Sequence, residues 1–268
     1  MNVFLVYAHP EPQSLNGALK DLAVATLTEL GHRVELSDLY AMGWKAVADA
    51  ADFRAPVEPG RLQYPRESKH AFAGGTQAAD VVAEQRKLLW ADAVILQFPL
   101  WWFSMPAILK GWFDRVFACG FAYGVGAHDG ERWGDRYGEG SLRGRRALVS
   151  VTIGGRAPHY SERGVNGALE DVLWPLQHGT LFYPGLEVLE PFTLFQADRL
   201  SREQWPEVAA GYRARLEGLF RDPPIPFRRQ NGGHYDGQQV LRDGLGQGLS
   251  GARLHLVQPD DPPQTPLA

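Results

Sequence analysis

Short apolar runs of strand length alternate along this sequence with longer segments in which apolar residues recur at helical spacing. The first run, residues 2–8, is mostly apolar, as expected for a strand that helices cover on both faces. Strands that alternate with helices form a mainly parallel sheet, because each connection returns the chain to the same edge. We therefore predict an α/β protein with a doubly wound, parallel, five-stranded sheet and helices on both faces. The predicted strands are residues 2–8, 33–36, 93–98, 145–152 and 186–189, and the predicted helices are residues 15–30, 78–90, 167–182 and 203–220, with a further helix after Pro106.

Two stretches do not follow this alternation. Residues 40–76 are rich in proline, glycine and charge, and we predict an irregular segment there. The chain from Arg221 onward is also rich in proline and glycine. We predict one main domain, residues 1–220, and an irregular C-terminal extension, residues 221–268, that packs on this domain or on a dimer partner.

Composition excludes several classes of protein. The 268 residues carry a formal net charge of −4 at pH 7, which argues against a nucleic-acid surface and a polybasic membrane anchor. The first ten residues lack the features of a signal peptide, and no apolar run approaches the ~20 residues of a membrane span. Cys119 is the single cysteine, which excludes an intrachain disulfide and fits a reducing compartment. We predict a cytoplasmic protein without nucleic-acid partners or membrane insertion.

Three distinctive loops follow predicted strands. They are HPEPQSLN after the first strand, PLWWFSMP after the third and TIGGRAPHY after the fourth. Ligands of open parallel sheets bind at the carboxyl ends of the strands, near the switch in strand order. The sequence therefore predicts that these three loops converge on one crevice.

The first loop has the composition of a phosphate site. His9, Ser14 and Asn16 offer side-chain donors, and the helix that follows offers backbone N–H groups and a favourable dipole. The loop lacks the glycines and lysine of a Walker loop, and it does not match GxGxxG. Ser14 has a second interpretation as an ordinary helix cap.

The second loop places Trp101, Trp102 and Phe103 side by side. Such a wide apolar wall suits a planar heteroaromatic cofactor better than a sugar phosphate alone. The alternative is that all three rings pack into the core or into a subunit interface.

The third loop contains Gly154 and Gly155 directly after a strand, where glycine permits close approach of the backbone to a ligand. A turn that uses glycine for its conformation alone is the rival interpretation. Tyr160 follows a few residues later, and its phenol is able to donate a hydrogen bond to a developing anion.

Taken together, the motifs resemble the NAD(P)H:quinone oxidoreductase family, whose type member is DT-diaphorase. The resemblance rests on YAHPEPQSLNGAL, SDLYAM, QFPLWWFSMPAILKGWFDRVF, FAYG, the glycine–tyrosine loop, LWPLQHG and VLEP, which occur in the family's order between Val6 and about Pro191. It implies a flavodoxin-like fold, a homodimer with sites at its interface, and a bound flavin, FAD or else FMN. It also implies two-electron reduction of quinones by NAD(P)H, as hydride transfer, through a ping-pong mechanism.

The resemblance assigns cofactor roles to residues of all three loops. It places the pyrophosphate against the first loop, the isoalloxazine ring beside the second, and the ring's other edge against backbone groups of the third. Tyr160 would hydrogen-bond the pyrimidine end and stabilise the reduced, anionic ring. The implied cofactor residues are His9, Ser14, Leu15 and Asn16; Pro99, Leu100, Trp101, Trp102 and Phe103; and Thr152, Ile153, Gly154, Gly155 and Tyr160.

The resemblance also implies a substrate side. Tyr123, Tyr183 and Val125 would line it from the partner subunit, opposite Trp102 and Phe103. Val125 stands where the family has a second tyrosine, which predicts a wider pocket and a different quinone preference.

The sequence departs from the family's pattern at Asn166 as well. Asn166 occupies the position, six residues after Tyr160, of a histidine proposed to relay charge. Asparagine is able to donate a hydrogen bond but cannot carry the proton, so Tyr160, His159 or solvent would have to suffice. No metal site is predicted, because His178 lacks a matching His and Cys cluster.

The sequence is compatible with other functions as well. Some relatives are ancillary flavoprotein subunits of potassium-efflux systems, and flavin enzymes of this kind also reduce azo or nitro compounds. An electron-carrier flavodoxin fits poorly, because such carriers are shorter and more acidic. The sequence does not distinguish NADH from NADPH.

Overall fold

A computed structural model describes residues 1–58, 60–129 and 132–266 of the chain. Within these residues, six strands and six α-helices form one α/β unit. The strands are β1 (Asn2–Tyr7), β2 (Arg33–Asp38), β3 (Ala93–Pro99), β4 (Arg146–Ile153), β5 (Glu187–Val188) and β6 (Phe192–Phe195). The helices are α1 (Leu15–Glu29), α2 (Tyr64–Gly74), α3 (Ala79–Trp90), α4 (Ala107–Val116), α5 (Leu169–Leu176) and α6 (Trp205–Glu217).

The sheet has the strand order β2-β1-β3-β4-β5, and every pairing in it is parallel. Leu5 of β1 lies opposite Leu36 on one side and Ile95 on the other. This is the flavodoxin-like order, with its switch point between β1 and β3. The predicted fold class is therefore confirmed.

The edge beside β4 differs from the prediction of one fifth strand over residues 186–189. β5 pairs with the start of β4 and has only two residues, whereas β6 pairs with its end, from Ser150 to Ile153. Pro191 lies between β5 and β6 and has no N–H to donate to β4. The sequence prediction missed β6, which adds one short strand to the five that were expected.

Helices cover both faces of the sheet. Phe4 and Val6 point to one face and pack in a cluster with residues of α3, α4 and α5, whereas Leu5 and Tyr7 point to the other, with residues of α1 and α6. Strand residues alternate between faces, so β1, β3 and β4 each contribute buried residues to both clusters. Burial on both faces explains why these three strands are mostly apolar.

The prediction of an irregular segment over residues 40–76 is wrong in part, because α2 lies within it. Pro65 occupies the first turn of α2, where its missing N–H costs nothing. Gly75 ends the helix in a left-handed conformation, with φ of 65°. The start signal, Pro65, and the stop signal, Gly75, are both present in the sequence, but the apolar periodicity between them is weak.

The predicted helix over residues 167–182 also needs correction. Gly167 has φ of +77° and lies outside the helix, so α5 begins at Leu169. Pro175 removes one backbone donor near the end of α5, and the chain continues as a π-helix, Gln177–Phe182. This wider turn brings His178 and Phe182 beside the C-terminal segment.

The described part of the C-terminal segment, residues 221–266, carries one 3-10 helix, Gly251–His255. It lies against the sheet domain, where the Ile225 amide donates to the Val188 carbonyl at 2.7 Å and Phe227 is buried. No helix in the described parts of the chain has the length and hydropathy needed to cross a bilayer.

Candidate active site

The three predicted loops meet at the carboxyl ends of β1, β3 and β4, and hydrogen bonds join them. The Asn16 amide accepts from Gln97 of β3 at 2.8 Å and donates to the Thr152 hydroxyl of β4 at 2.9 Å. The Leu100 amide donates to the Thr152 carbonyl at 2.8 Å. Asn16 is buried, and its side chain ties the first loop to β3 and β4.

Ser14 caps α1, as its second interpretation proposed. Its Oγ accepts from the Gly17 amide at 3.1 Å. The cap uses one of the four N–H groups that the start of a helix leaves without intrahelical partners, so it does not exclude an anion contact. The first turn of α1 has no acidic residue to oppose an anion.

The loop packs closely over the start of α1. A Cβ atom at Gly17 would lie 1.9 Å from the Pro12 carbonyl oxygen, so the loop backbone requires glycine there. His9 is half-buried, and its Nδ1 accepts from the Glu11 amide at 3.0 Å. The His9 ring lies 6.1 Å from that of Trp101, which places the first loop next to the second.

The second loop is a tight turn with an unusual conformation. Backbone bonds of 2.9 and 3.0 Å join Trp101 and Ser104 in both directions. Trp102 and Phe103, between them, have φ of 49° and 59°. Two positive φ values in succession define a type I′ turn, which asparagine and glycine normally occupy. Aromatic residues at these positions store backbone strain, a feature that clusters at functional sites.

The rings of this turn do not pack into the core. The Trp102 side chain is 94% exposed, and Trp101 and Phe103 are exposed as well. The core alternative is therefore excluded for these rings, whereas a subunit interface remains compatible with their exposure. An apolar surface of this kind beside a strand terminus is typical of a ligand or partner site.

The third loop completes the edge. Tyr160 is half-buried, with its ring 6.4 Å from that of Phe103 and 5.7 Å from that of Phe195. A Cβ atom at Gly155 would lie 2.9 Å from the Tyr160 ring, so this glycine allows the tyrosine to pack against the backbone. Gly154 is exposed and presents bare backbone at the end of β4. Ile153 itself is buried in the core, so only its backbone is available to a ligand.

Leu15, Pro99 and Leu100 also lie at this edge, at the start of α1 and the end of β3. Asn166 is half-buried in the same loop as Tyr160, and its backbone amide donates to the His159 carbonyl at 3.0 Å. The His159 side chain is exposed.

The substrate-side residues lie in a different part of the chain's surface. Tyr123 and Tyr183 line a cavity of about 390 Å³, which Lys110 of α4 also lines. Burial raises the pKa of Tyr123, with a further contribution from Cys119, so its phenol stays protonated near neutral pH. Val125 is half-buried and does not line this cavity; its carbonyl accepts from the Asp135 amide at 2.8 Å.

Sequence reasoning missed Gln97, the residue that ties β3 to the first loop. Its signal was a single amide in the otherwise apolar run AVILQFP. Buried polar side chains are hydrogen-bonded, so an amide in such a strand predicts a partner at the sheet's edge. Among the described residues, no group of three His, Cys, Asp or Glu side chains has the arrangement of a metal site.

Comparison with known proteins agrees with this architecture. The model of the flavodoxin-like fold family matches residues 1–217. A ribosyldihydronicotinamide dehydrogenase-like protein of Penicillium crustosum is 52% identical over 235 residues, which cover 88% of this chain and 87% of the relative. The ribosyldihydronicotinamide dehydrogenase (quinone) of Homo sapiens is 43% identical over 225 residues, covering 84% of this chain and 94% of the relative.

A crystal structure of a candidate quinone reductase from Klebsiella pneumoniae is also similar. It superposes with a TM-score of 0.94 at 56% sequence identity, covering 96% of this chain and 100% of that chain. The chain therefore belongs to the flavodoxin-like fold family. Its relatives there include proteins named as quinone-reducing dehydrogenases.

Proposed function

We propose that this protein is a flavin-dependent NAD(P)H:quinone oxidoreductase. The observation that carries the proposal is the strained, exposed turn of Trp102 and Phe103 between the capped start of α1 and the glycine loop of β4. Relatives named as quinone dehydrogenases or reductases match this chain over most of its length, which supports the same chemistry here.

The residues present fit a flavin. The exposed rings of the second loop provide an apolar surface, and the exposed backbone at Gly154 permits close approach at the end of β4. The start of α1 suits a pyrophosphate, because a helix N-terminus offers backbone N–H groups and no acidic residue lies in the first helical turn. We propose FAD over FMN, on the resemblance to the longer members of the family.

A bound flavin would accept hydride from NAD(P)H and deliver it to the quinone. The chain's own residues bind and orient. His9, Ser14, Leu15 and Asn16 would hold the pyrophosphate, and Trp102 and Phe103 would shield the ring from water. Tyr160 donates a hydrogen bond where negative charge develops, and Asn166 offers a donor that cannot carry the proton.

We propose a ping-pong order and a homodimer for the complete site. NAD(P)⁺ would leave before the quinone enters, because the resemblance implies that the two substrates occupy the same position. Tyr123 and Tyr183 line a cavity apart from the three loops, which supports their role as residues donated to a partner's site. We also propose that the main domain ends near residue 220 and that the protein works in the cytoplasm.

The test is purification without added cofactor, a visible spectrum, and identification of the released flavin by mass. We expect a yellow protein that releases FAD and reduces quinones with parallel lines in double-reciprocal plots. Trp102→Ala should lower the flavin content, whereas Trp133→Ala, at an exposed ring outside the three loops, should not.

A protein that takes up neither FAD nor FMN would contradict the proposal. A flavoprotein with negligible quinone turnover that co-purifies with a membrane transport subunit would favour the ancillary role instead. Rapid turnover of azo or nitro compounds with slow quinone reduction would reassign the acceptor.

A further inference from the structure

A second cavity lies between the sheet domain and the C-terminal segment, and the three loops contribute nothing to it. Its volume is about 380 Å³. It is lined by Arg136, Tyr137, Trp174, His178, Arg228, Gln230, Tyr235, Gln239 and His255. A cavity of this size lies at the low end of the range for small-molecule sites, which is roughly 300–1,000 Å³.

One wall of the cavity is a stack of flat side chains. The His178 ring lies 4.1 Å from that of Trp174 at an interplanar angle of 10°, and 4.8 Å from that of Tyr137 at 25°. His178 is therefore held between two aromatic rings. The backbone of Tyr137 is left-handed, with φ of 52°. Its amide donates a hydrogen bond to the Tyr183 carbonyl, which helps to fix the position of the ring.

This stack leaves a polar atom without a partner. Nε2 of His178 is buried and has no hydrogen-bond partner among the described residues. Burial lowers the pKa of His178 to about 3, with a contribution from His255, so the ring is neutral at physiological pH. Buried imidazole nitrogens are normally hydrogen-bonded, so we expect a further molecule to supply the missing partner of Nε2.

The C-terminal segment closes the cavity with a fixed network. Arg228 is fully buried; it donates to the Leu254 carbonyl at 2.9 Å and to Nδ1 of His234 at 2.8 Å. Its Nη2 lies 2.7 Å from the Asp261 carboxylate, an ion pair by distance, although the angle is poor for a hydrogen bond. The Tyr235 phenol lies 2.8 Å from Nδ1 of His255. These contacts neutralise Arg228 and order the wall.

Arg136 differs from Arg228 in having no such balance. It donates to the Gln230 side chain and lies 5.9 Å from the centre of the Tyr183 ring. Within the described residues, no carboxylate forms an ion pair with Arg136, and none lines the cavity. The cavity therefore combines flat aromatic side chains, a buried imidazole nitrogen without a hydrogen-bond partner and an arginine without an ion-pair partner in the described part of the chain.

We propose that this cavity is a second ligand site, separate from the flavin edge, which binds a small planar aromatic anion of one or two rings. The ligand's ring packs against the stack of Tyr137, His178 and Trp174, and its carboxylate pairs with Arg136. The side-chain amide of Gln239 adds a further donor at the site. The site does not depend on the proposed flavin chemistry, because none of its residues belongs to the three loops.

The test is calorimetric titration of the purified, flavin-loaded protein with 2-naphthoate and with its neutral analogue 2-naphthamide. We expect one 2-naphthoate site per chain and at least tenfold weaker binding of 2-naphthamide. Arg136→Gln should weaken 2-naphthoate binding at least tenfold and leave 2-naphthamide unchanged, whereas Arg136→Lys should retain most of the affinity.

Two further variants keep the test decisive. Gln239→Glu adds a negative charge at the cavity and should also weaken 2-naphthoate at least tenfold, even if Arg136→Gln folds poorly. Arg202→Gln, at an exposed arginine outside the cavity, should have no effect. Equal affinity for the two probes would overturn the proposal. So would 2-naphthoate binding that is lost in Trp102→Ala but unchanged in both Arg136→Gln and Gln239→Glu.

Discussion

Trp102 combines two properties that folding alone would not select. Its backbone is left-handed, at φ of 49°, and its side chain is 94% exposed. A residue held in this region costs on the order of 1–3 kcal/mol, and an exposed ring returns little of it. We infer that contact with a bound partner compensates for the strain. Trp102 would then lower the stability of the free protein and strengthen binding.

Trp102→Gly should therefore stabilise the flavin-free protein by about 1 kcal/mol, because glycine adopts positive φ without strain. The same change should reduce flavin retention. Trp102→Ala is the matched control, since it removes the ring but keeps the strained backbone, and it should lose flavin without the gain in stability. Urea unfolding and flavin content measure the two effects, and a destabilised Trp102→Gly variant with full flavin content would contradict the account.

Tyr160→Phe separates catalysis from binding at the third loop. A hydrogen bond to developing negative charge is stronger than one to a neutral group, so its loss should affect rate more than retention. We expect hydride transfer to slow by roughly tenfold or more, with flavin content nearly unchanged. Stopped-flow kinetics and the flavin-to-protein ratio provide the measurements, and a parallel fall in both would argue against this role.

At the scale of elements, the start of α1 depends on the fit between the helix and the loop that precedes it. Gly17→Ala would place a methyl group 1.9 Å from the Pro12 carbonyl oxygen. We expect a loss of about 1–3 kcal/mol in the free energy of unfolding and weaker flavin binding, because the loop must move.

Gly211→Ala in α6 is the control for the Gly17 substitution. A Cβ atom at Gly211 meets nothing within 4 Å, so alanine should stabilise the helix by about 0.5–1 kcal/mol. Denaturation of both variants checks the pair. Similar effects of the two substitutions would show that the loop does not constrain α1.

The π-helix after α5 makes stability depend on pH through His178. Burial, with a contribution from His255, lowers the pKa of His178 in the folded protein from 6.5 to about 3. Between these values the unfolded chain binds a proton that the folded chain does not. Stability should therefore fall as pH decreases from 6.5 toward 3, by up to about 3–5 kcal/mol from this group.

His178→Phe should flatten that pH dependence, since a phenyl ring keeps the stack with Trp174 but does not titrate. His70→Gln, at an exposed histidine of α2, is the control and should leave the profile unchanged. Urea unfolding between pH 4 and 7 gives the comparison. Parallel profiles for wild type and His178→Phe would show that folding does not lower the pKa of His178.

The main elements and the edge that carries the loops were predictable because hydrophobic periodicity is a local signal. Helix α2 was missed because its interior is mostly polar and shows only weak apolar periodicity, although Pro65 and Gly75 mark its ends. Strand β6 is too short and too close to Pro191 to show a pattern. Local propensity decides little in elements whose stability comes from long-range contacts.

The candidate site was predictable in composition but not in conformation. The three loops could be placed together, yet the bonds of Asn16 to Gln97 and Thr152 join residues far apart in the chain. The left-handed turn of Trp102 and Phe103 contradicts the preferences of those residues, so no propensity argument finds it. The cavity around His178 depends on the C-terminal segment, whose path no periodicity indicated.

At the scale of the whole molecule, one side of the parallel sheet gathers loops that begin almost 150 positions apart into a single edge, from His9 to Gly155. The exposed rings at that edge and the separate cavity of Tyr123 and Tyr183 support a site completed by a second copy. We propose that this edge holds a flavin that exchanges hydride with NAD(P)H and with a quinone in turn.

The most direct measurement is anaerobic stopped-flow spectroscopy of the purified protein in two separate mixes. The first, with NAD(P)H alone, should bleach the visible flavin absorbance, and the second, with quinone alone added to the bleached protein, should restore it. The claim is contradicted by a colourless protein that stays colourless after incubation with FAD or FMN, or by a flavin band that NAD(P)H leaves unchanged.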